Sequence, residues 1–114
     1  MQPIAAIAGT ILLLAASAPA QSAVTGRDLL ERCSAAADST WCDGYIDAVF
    51  DLLKEGIAFS IGPVRVCPAA TVTPRDLRAV VIDYLRANAT VRDASASLLV
   101  SVALAEAFPC AGGN

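Results

Sequence analysis

The sequence predicts an all-α fold: a small up-down helical bundle of about four helices, stapled by two disulfides. Three observations predict it. The pattern Thr-x-x-Asp occurs four times, at Thr25–Asp28, Thr40–Asp43, Thr73–Asp76 and Thr90–Asp93. Apolar residues with helical spacing follow each occurrence. Four cysteines stand in a chain that opens on an apolar leader, which implies export to an oxidising compartment and hence disulfides. Much of the 56% hydrophobic content is alanine, with three Phe, two Tyr and one Trp. A core of Leu, Val, Ile and Ala is thin for this size, so covalent staples matter.

Residues 1–20 read as a secretory signal. Ile4 to Leu14 is almost wholly apolar, and Ala18-Pro19-Ala20 supplies the small-x-small pattern that places cleavage after Ala20. The competing reading is a fifth, buried helix. The run is too short for a comfortable membrane span, and no cysteine stands at the cleavage point to carry a lipid, so no stable membrane anchor is expected. Residues 21–114 then form one domain.

Each Thr-x-x-Asp reads as a helix start. The threonine side chain accepts a bond from a free backbone N–H, while the acid favours the positive end of the helix dipole and reaches back to the cap. The first helix is short, with Leu29 and Leu30 apolar and Cys33 near its end. In the second, Ile46, Val49, Phe50, Leu53 and Ile57 share a face; Ser60-Ile61-Gly62-Pro63 ends it. The third opens with Pro74 at the first helical position and carries Leu77, Val80, Val81, Tyr84 and Leu85 on one face. Asn88 suits a left-handed cap at its end. The fourth is expected to begin at Thr90, with Val91, Ala94, Leu98, Val102, Ala105 and Phe108 as its stripe and Leu99 and Leu104 flanking, and to end at Pro109.

Cys33, Cys42, Cys67 and Cys110 allow three pairings. Cys33 ends the first helix and Cys42 begins the second, so both belong to one end of the bundle. Cys67 and Cys110 follow the second and fourth helices and belong to the other end. A second helix of roughly 17 residues is about 25 Å long, whereas bridged Cα atoms lie within about 7 Å. The pairing expected is therefore Cys33–Cys42 with Cys67–Cys110. A zinc site is the rival, but no C-x-x-C pair is present.

Function classes fall away on composition. There is no histidine, which removes Ser-His-Asp and Cys-His catalysis and every histidine-containing zinc site. The formal net charge is −3 and no basic run occurs, so nucleic acid is not an expected partner. No Gly-rich phosphate loop exists, and no base or oxyanion donor accompanies the carboxylates. No catalytic residue, metal or cofactor is expected, and the chain reads as a binding protein rather than an enzyme.

Against that frame four segments carry a resemblance: Cys42-Asp43-Gly44-Tyr45-Ile46-x-Ala48-Val49-x-Asp51, Cys67-Pro68, Val80-Val81-x-x-Tyr84-Leu85-Arg86, and Leu104-Ala105-Glu106-Ala107-Phe108-Pro109-Cys110. In this order and spacing they resemble the Rap/Tai immunity proteins, which protect bacteria from amidase toxins of type VI secretion. The resemblance covers about residues 28 to 110. One departure is Ala89, where relatives often carry proline. The resemblance implies a periplasmic helical inhibitor, often a homodimer, whose partner is a peptidoglycan-cleaving amidase.

Two surfaces are candidates for partner contact. Asp43, Asp47, Asp51 and Glu55 recur every four residues and make an acidic stripe on the second helix. Asp43 also serves as a first-turn acid, which leaves Asp47, Asp51 and Glu55 for a basic partner; the plainer reading is a solvated face. The connection 60–72 offers Ile61, Val64 and Arg65 as an inhibitory loop, or else simply covers the open end of the bundle. Gly44-Tyr45 reads as close helix packing beside the Cys33–Cys42 bridge. The alternatives to an immunity protein are a periplasmic structural or chaperone-like interaction module without a cognate toxin, and a carrier of small apolar ligands, which the scarcity of aromatics disfavours.

Overall fold

A computed structural model describes residues 23–56 and 64–111, with Gly9 alone before them. The expected leader 1–20, apart from Gly9, and Ile57 and Ser60-Ile61-Gly62-Pro63 at the expected end of the second helix lie outside the described residues. Four α-helices form the fold: α1 (Gly26–Ser34), α2 (Ser39–Lys54), α3 (Pro74–Ala87) and α4 (Ala96–Ala107), with single 3₁₀ turns at Ala36–Asp38 and Ala89–Val91. Among the described residues the only β pairing is one bridge between Thr25 and Ser95.

Two of the four expected caps are present as complete capping boxes. The Asp28 N–H donates to Thr25 Oγ1 (3.2 Å) and the Thr25 N–H donates to Asp28 Oδ2 (2.9 Å). Thr73 and Asp76 repeat the arrangement at 3.2 and 2.8 Å ahead of Pro74. The other two starts are corrected. Helix α2 begins at Ser39, and Thr40 lies inside it, because the 3₁₀ turn Ala36–Asp38 is already coiling when it runs into the helix. Helix α4 begins at Ala96 and not at Thr90, which sits in the second 3₁₀ turn.

The delay at α4 has a physical cause. A helix through residues 92–95 needs the carbonyls of Arg92 and Ala94 for its own i→i−4 bonds. Here the Arg27 N–H takes Arg92 O (2.9 Å), the Gly26 N–H takes Ala94 O (3.0 Å), and the Ala96 N–H donates to Val24 O (2.8 Å). The first two satisfy free N–H groups in the first turn of α1, and the third satisfies that of the first residue of α4. The Arg92 side chain holds the same segment back on α3, donating to Leu85 O (2.7 Å) and Arg86 O (3.1 Å). The start of α1 and the start of α4 are thus one interlocked structure.

Helix α2 stops earlier than expected. Gly56, at φ 75°, takes the left-handed conformation that glycine adopts without steric cost. Asn88 does not take that conformation (φ −122°); its side-chain amide instead donates to Tyr84 O (2.8 Å).

The core is continuous: Leu29 and Cys33 from α1, Cys42, Ile46, Val49 and Leu53 from α2, Leu77, Val81 and Leu85 from α3, with Leu99, Val100, Ala103 and Leu104 from α4. For α2 and α3 this falls on the face that the sequence periodicity marks, with Phe50, Val80 and Tyr84 half-buried at its border. For α4 the buried face is Ala96, Leu99, Val100, Ala103 and Leu104, whereas Leu98, Val102 and Ala105 are half-buried. The few polar residues of that helix do not mark an outer side, since Ser101 is fully buried and donates to Ser97 O (2.7 Å) while Glu106 is exposed, so its sequence has no clear phase from which to read a buried stripe.

Candidate partner-binding surface

Both disulfides pair as the bundle argument requires. Cys33–Cys42 joins the end of α1 to the start of α2 (Cα–Cα 5.1 Å), and Cys67–Cys110 joins the segment before α3 to the residues after α4 (4.9 Å). No cysteine is free. The two bridges differ in setting: Cys33 and Cys42 are buried in the core, while Cys67 is exposed and Cys110 half-exposed. Beside the outer bridge the Cys67 N–H donates to Phe108 O (2.9 Å), and Val64 and Val66 turn into the core.

The inner bridge places its neighbours side by side. Residue 32 must lie near residue 41 because 33 is bonded to 42. The Arg32 guanidinium stands 4.0 Å over the ring of Trp41, and Trp41 stacks on Tyr45 with centroids 5.3 Å apart. Burial, the largest effect, pushes the Tyr45 hydroxyl above its ordinary pKa, against a smaller downward pull from hydrogen bonding to Ser97. The sole tryptophan is therefore a half-exposed surface group held between a cation and a second ring. Sequence reasoning singled out Tyr45 but missed Arg32 and Trp41; the expected Cys33–Cys42 bond was the signal that could have joined them. Next to Arg32 a cleft of ≈380 Å³ opens beside α1, bordered by Val24, Asp28, Glu31 and Asp38.

Gly44 does not pack closely. A Cβ built there meets nothing within 4 Å, so the expectation of tight packing is overturned. The close approach is at Gly26, where a Cβ would overlap Leu99 Cδ1 and lie 3.1 Å from Arg92 O and 3.1 Å from Leu85 Cδ2.

The acidic stripe is not uniform. Asp43 is half-buried and held by Arg78, which donates from Nε at 2.7 Å and from Nη2 at 2.6 Å, a two-pronged pair that locks α3 to α2. Asp51 pairs with Lys54 at 2.9 Å on the surface. Asp47 is half-exposed and Glu55 exposed, neither with an ion-pair partner among the described residues. Of the connection residues, Arg65 is exposed, whereas Val64 is buried, so its side chain faces the core. Tertiary structure thus leaves Asp47, Asp51, Glu55 and Arg65 accessible.

Backbone N–H and hydroxyl donors from Thr25 and Thr73 hold the Asp28 and Asp76 carboxyls below the usual carboxylate range. Among the described residues no group of His, Cys, Asp or Glu is placed to hold a metal ion, and no helix is long and apolar enough to cross a membrane.

The fold defines a small helical module braced by two disulfides. The family model of the Rap1a immunity proteins matches residues 25–110, and the chain belongs to that family. It is by that membership an immunity protein directed against an effector toxin, in a family whose members generally act by binding rather than by catalysis. No curated protein and no solved structure matches it.

Proposed function

We propose that this chain is exported to the periplasm, where it binds a peptidoglycan-cleaving amidase delivered by type VI secretion and occludes its active site. The observation that carries the proposal is the family match over residues 25–110 on a body with two disulfides and no free thiol. Such bonds persist in oxidising compartments, and the apolar leader ending at Ala20 supplies the route there. Inhibition by steric cover needs no reacting group. A body braced at both bridges loses little conformational freedom on association. The accessible Asp47, Asp51, Glu55 and Arg65, together with the Trp41 platform, are the surface offered for contact, aromatic and arginine side chains being the residue types that dominate binding energy.

Co-expression tests this reading. A periplasm-directed amidase effector from the same genome should lyse cells alone and spare them when the full chain is present, and the two should co-purify. Lysis that continues despite abundant, oxidised protein in the periplasm would remove the proposal. Light scattering on the purified chain reads whether one copy or a homodimer is the inhibitory unit.

A further inference from the structure

The C-terminal halves of α3 and α4 border a shallow, open groove of ≈410 Å³. Val80, Ala103 and Ala107 give it apolar walls, and the half-exposed Tyr84 ring stands in it. Asp83 and Glu106 line it from opposite helices, both exposed. All eight lysines and arginines of the chain lie within the described residues, and none forms a salt bridge with either carboxylate. The negative charge of Glu106 acts on the groove interior: after burial, it is the next cause raising the Tyr84 hydroxyl above its ordinary pKa.

A complementary occupant has an aliphatic stem and a cationic head. The stem of a long basic side chain covers apolar surface while its head stays at the charged rim. An aromatic face attracts that cation, and carboxylates hold it by charge-assisted bonds. An apolar side chain would leave the rim unanswered, and an anion would be repelled by it. We infer that this groove is a receptor for one arginine or lysine side chain projecting from the toxin that the chain neutralises. The inference rests on the immunity reading for the source of the side chain, but the groove chemistry can be tested without the toxin.

The probe is N-acetyl-arginine amide, with N-acetyl-norleucine amide as the uncharged control, titrated into isotopically labelled protein. Backbone shifts at residues 80–88 and 103–107 should move saturably with the arginine probe and not with norleucine. The double variant Asp83→Asn, Glu106→Gln should weaken that binding about fivefold, since exposed charge pairs are individually modest, with the helical spectrum unchanged. Equal response to norleucine, or an arginine response centred on Asp47 and Glu55 instead, overturns the inference. So does toxin binding that is tight and indifferent to the double variant, which leaves the immunity reading standing. A saturable arginine site in a chain that binds no amidase supports the groove and removes the proposed target. Light scattering that finds the native chain paired and the double variant single reassigns the groove to a second copy and overturns the inference.

Discussion

Gly26→Ala is expected to destabilise the protein even though alanine is the better helix former. Two effects of opposite sign meet at this position. Alanine favours a helix over glycine by up to about 1 kcal/mol in its interior, and less in the first turn, where residue 26 lies. Against that, the added methyl would overlap Leu99 Cδ1 and lie 3.1 Å from the Arg92 carbonyl oxygen. Leu99 can give way by changing its side-chain angle, but it is itself buried in the core. The Arg92 oxygen is backbone, fixed by the Arg27 N–H at 2.9 Å. Overpacking of this kind costs about 1–3 kcal/mol. The net loss should be about 1–2 kcal/mol, lowering Tm by roughly 5–15 °C in a domain of this size. Urea unfolding followed by circular dichroism measures it, with an unchanged slope showing that the unfolded state is not what moved. Gly44→Ala is the internal control. It sits inside α2 with nothing near its Cβ, so it should stabilise by about 0.5–1 kcal/mol. A Gly26→Ala protein as stable as the native one would refute the interlock between the starts of α1 and α4.

The bridges should separate thermodynamics from kinetics. Cys67–Cys110 spans 43 residues and Cys33–Cys42 spans 9, so in the chain-entropy model removing the first costs about 4 kcal/mol and the second nearer 3; yet mild thiol should reduce the exposed Cys67–Cys110 bond first, as alkylation and mass mapping would show. Arg78→Ala and Asp43→Asn should each destabilise by about 1 kcal/mol, and a double-mutant cycle should return a coupling of that order, since the pair is two-pronged and half-buried; zero coupling would reduce it to a surface contact. The Asp28 and Asp76 carboxyls have folded pKa values depressed below 3.8. Their contribution is therefore complete above the unfolded value and is lost as pH falls below about 3.8 through the folded one. Replacing both acids by asparagine should flatten the stability profile in that acid window and leave its shape above pH 5 unchanged.

Local chemistry was readable where it was self-contained. The capping boxes at Thr25 and Thr73 need only residues three apart, and both are present. The same spelling at Thr40 and Thr90 gives no cap, because neighbouring segments had already claimed the backbone: the 3₁₀ turn before Ser39, and the N–H groups of α1 bonded to the carbonyls of Arg92 and Ala94. No local pattern contains that information. The amphipathic faces of α2 and α3 could be phased from their polar residues, while α4, with only Ser97, Ser101 and Glu106 among apolar residues and Ser101 buried, could not. The disulfide pairing followed from element order alone and is present. Gly26 and the placing of Asp83 and Glu106 on opposite sides of a groove depend on which helix lies beside which, and so they were missed; Trp41 was missed although the expected Cys33–Cys42 bond set it beside Arg32.

Charge placement then narrows what the surface is for. Arg27 is held by Asp93, Arg78 by Asp43 and Lys54 by Asp51. Arg92 donates to main-chain carbonyls and Arg32 covers Trp41. Most of the cations thus work inside the fold. Asp28 and Asp76 are likewise committed to their caps. Glu31, Asp38, Asp47, Glu55, Asp83 and Glu106 are left without an ion-pair partner among the described residues, and they border the cleft of α1, the outer face of α2 and the α3–α4 groove. A net charge of −3 is small, but its uncompensated part lies on the surfaces that have shape. Such a molecule attracts a basic partner to particular faces, which raises association rates and makes them salt-dependent. Binding to the toxin should accordingly weaken as salt rises, chiefly through slower association, and an association rate indifferent to salt would mean that the contact lies on none of these acidic faces.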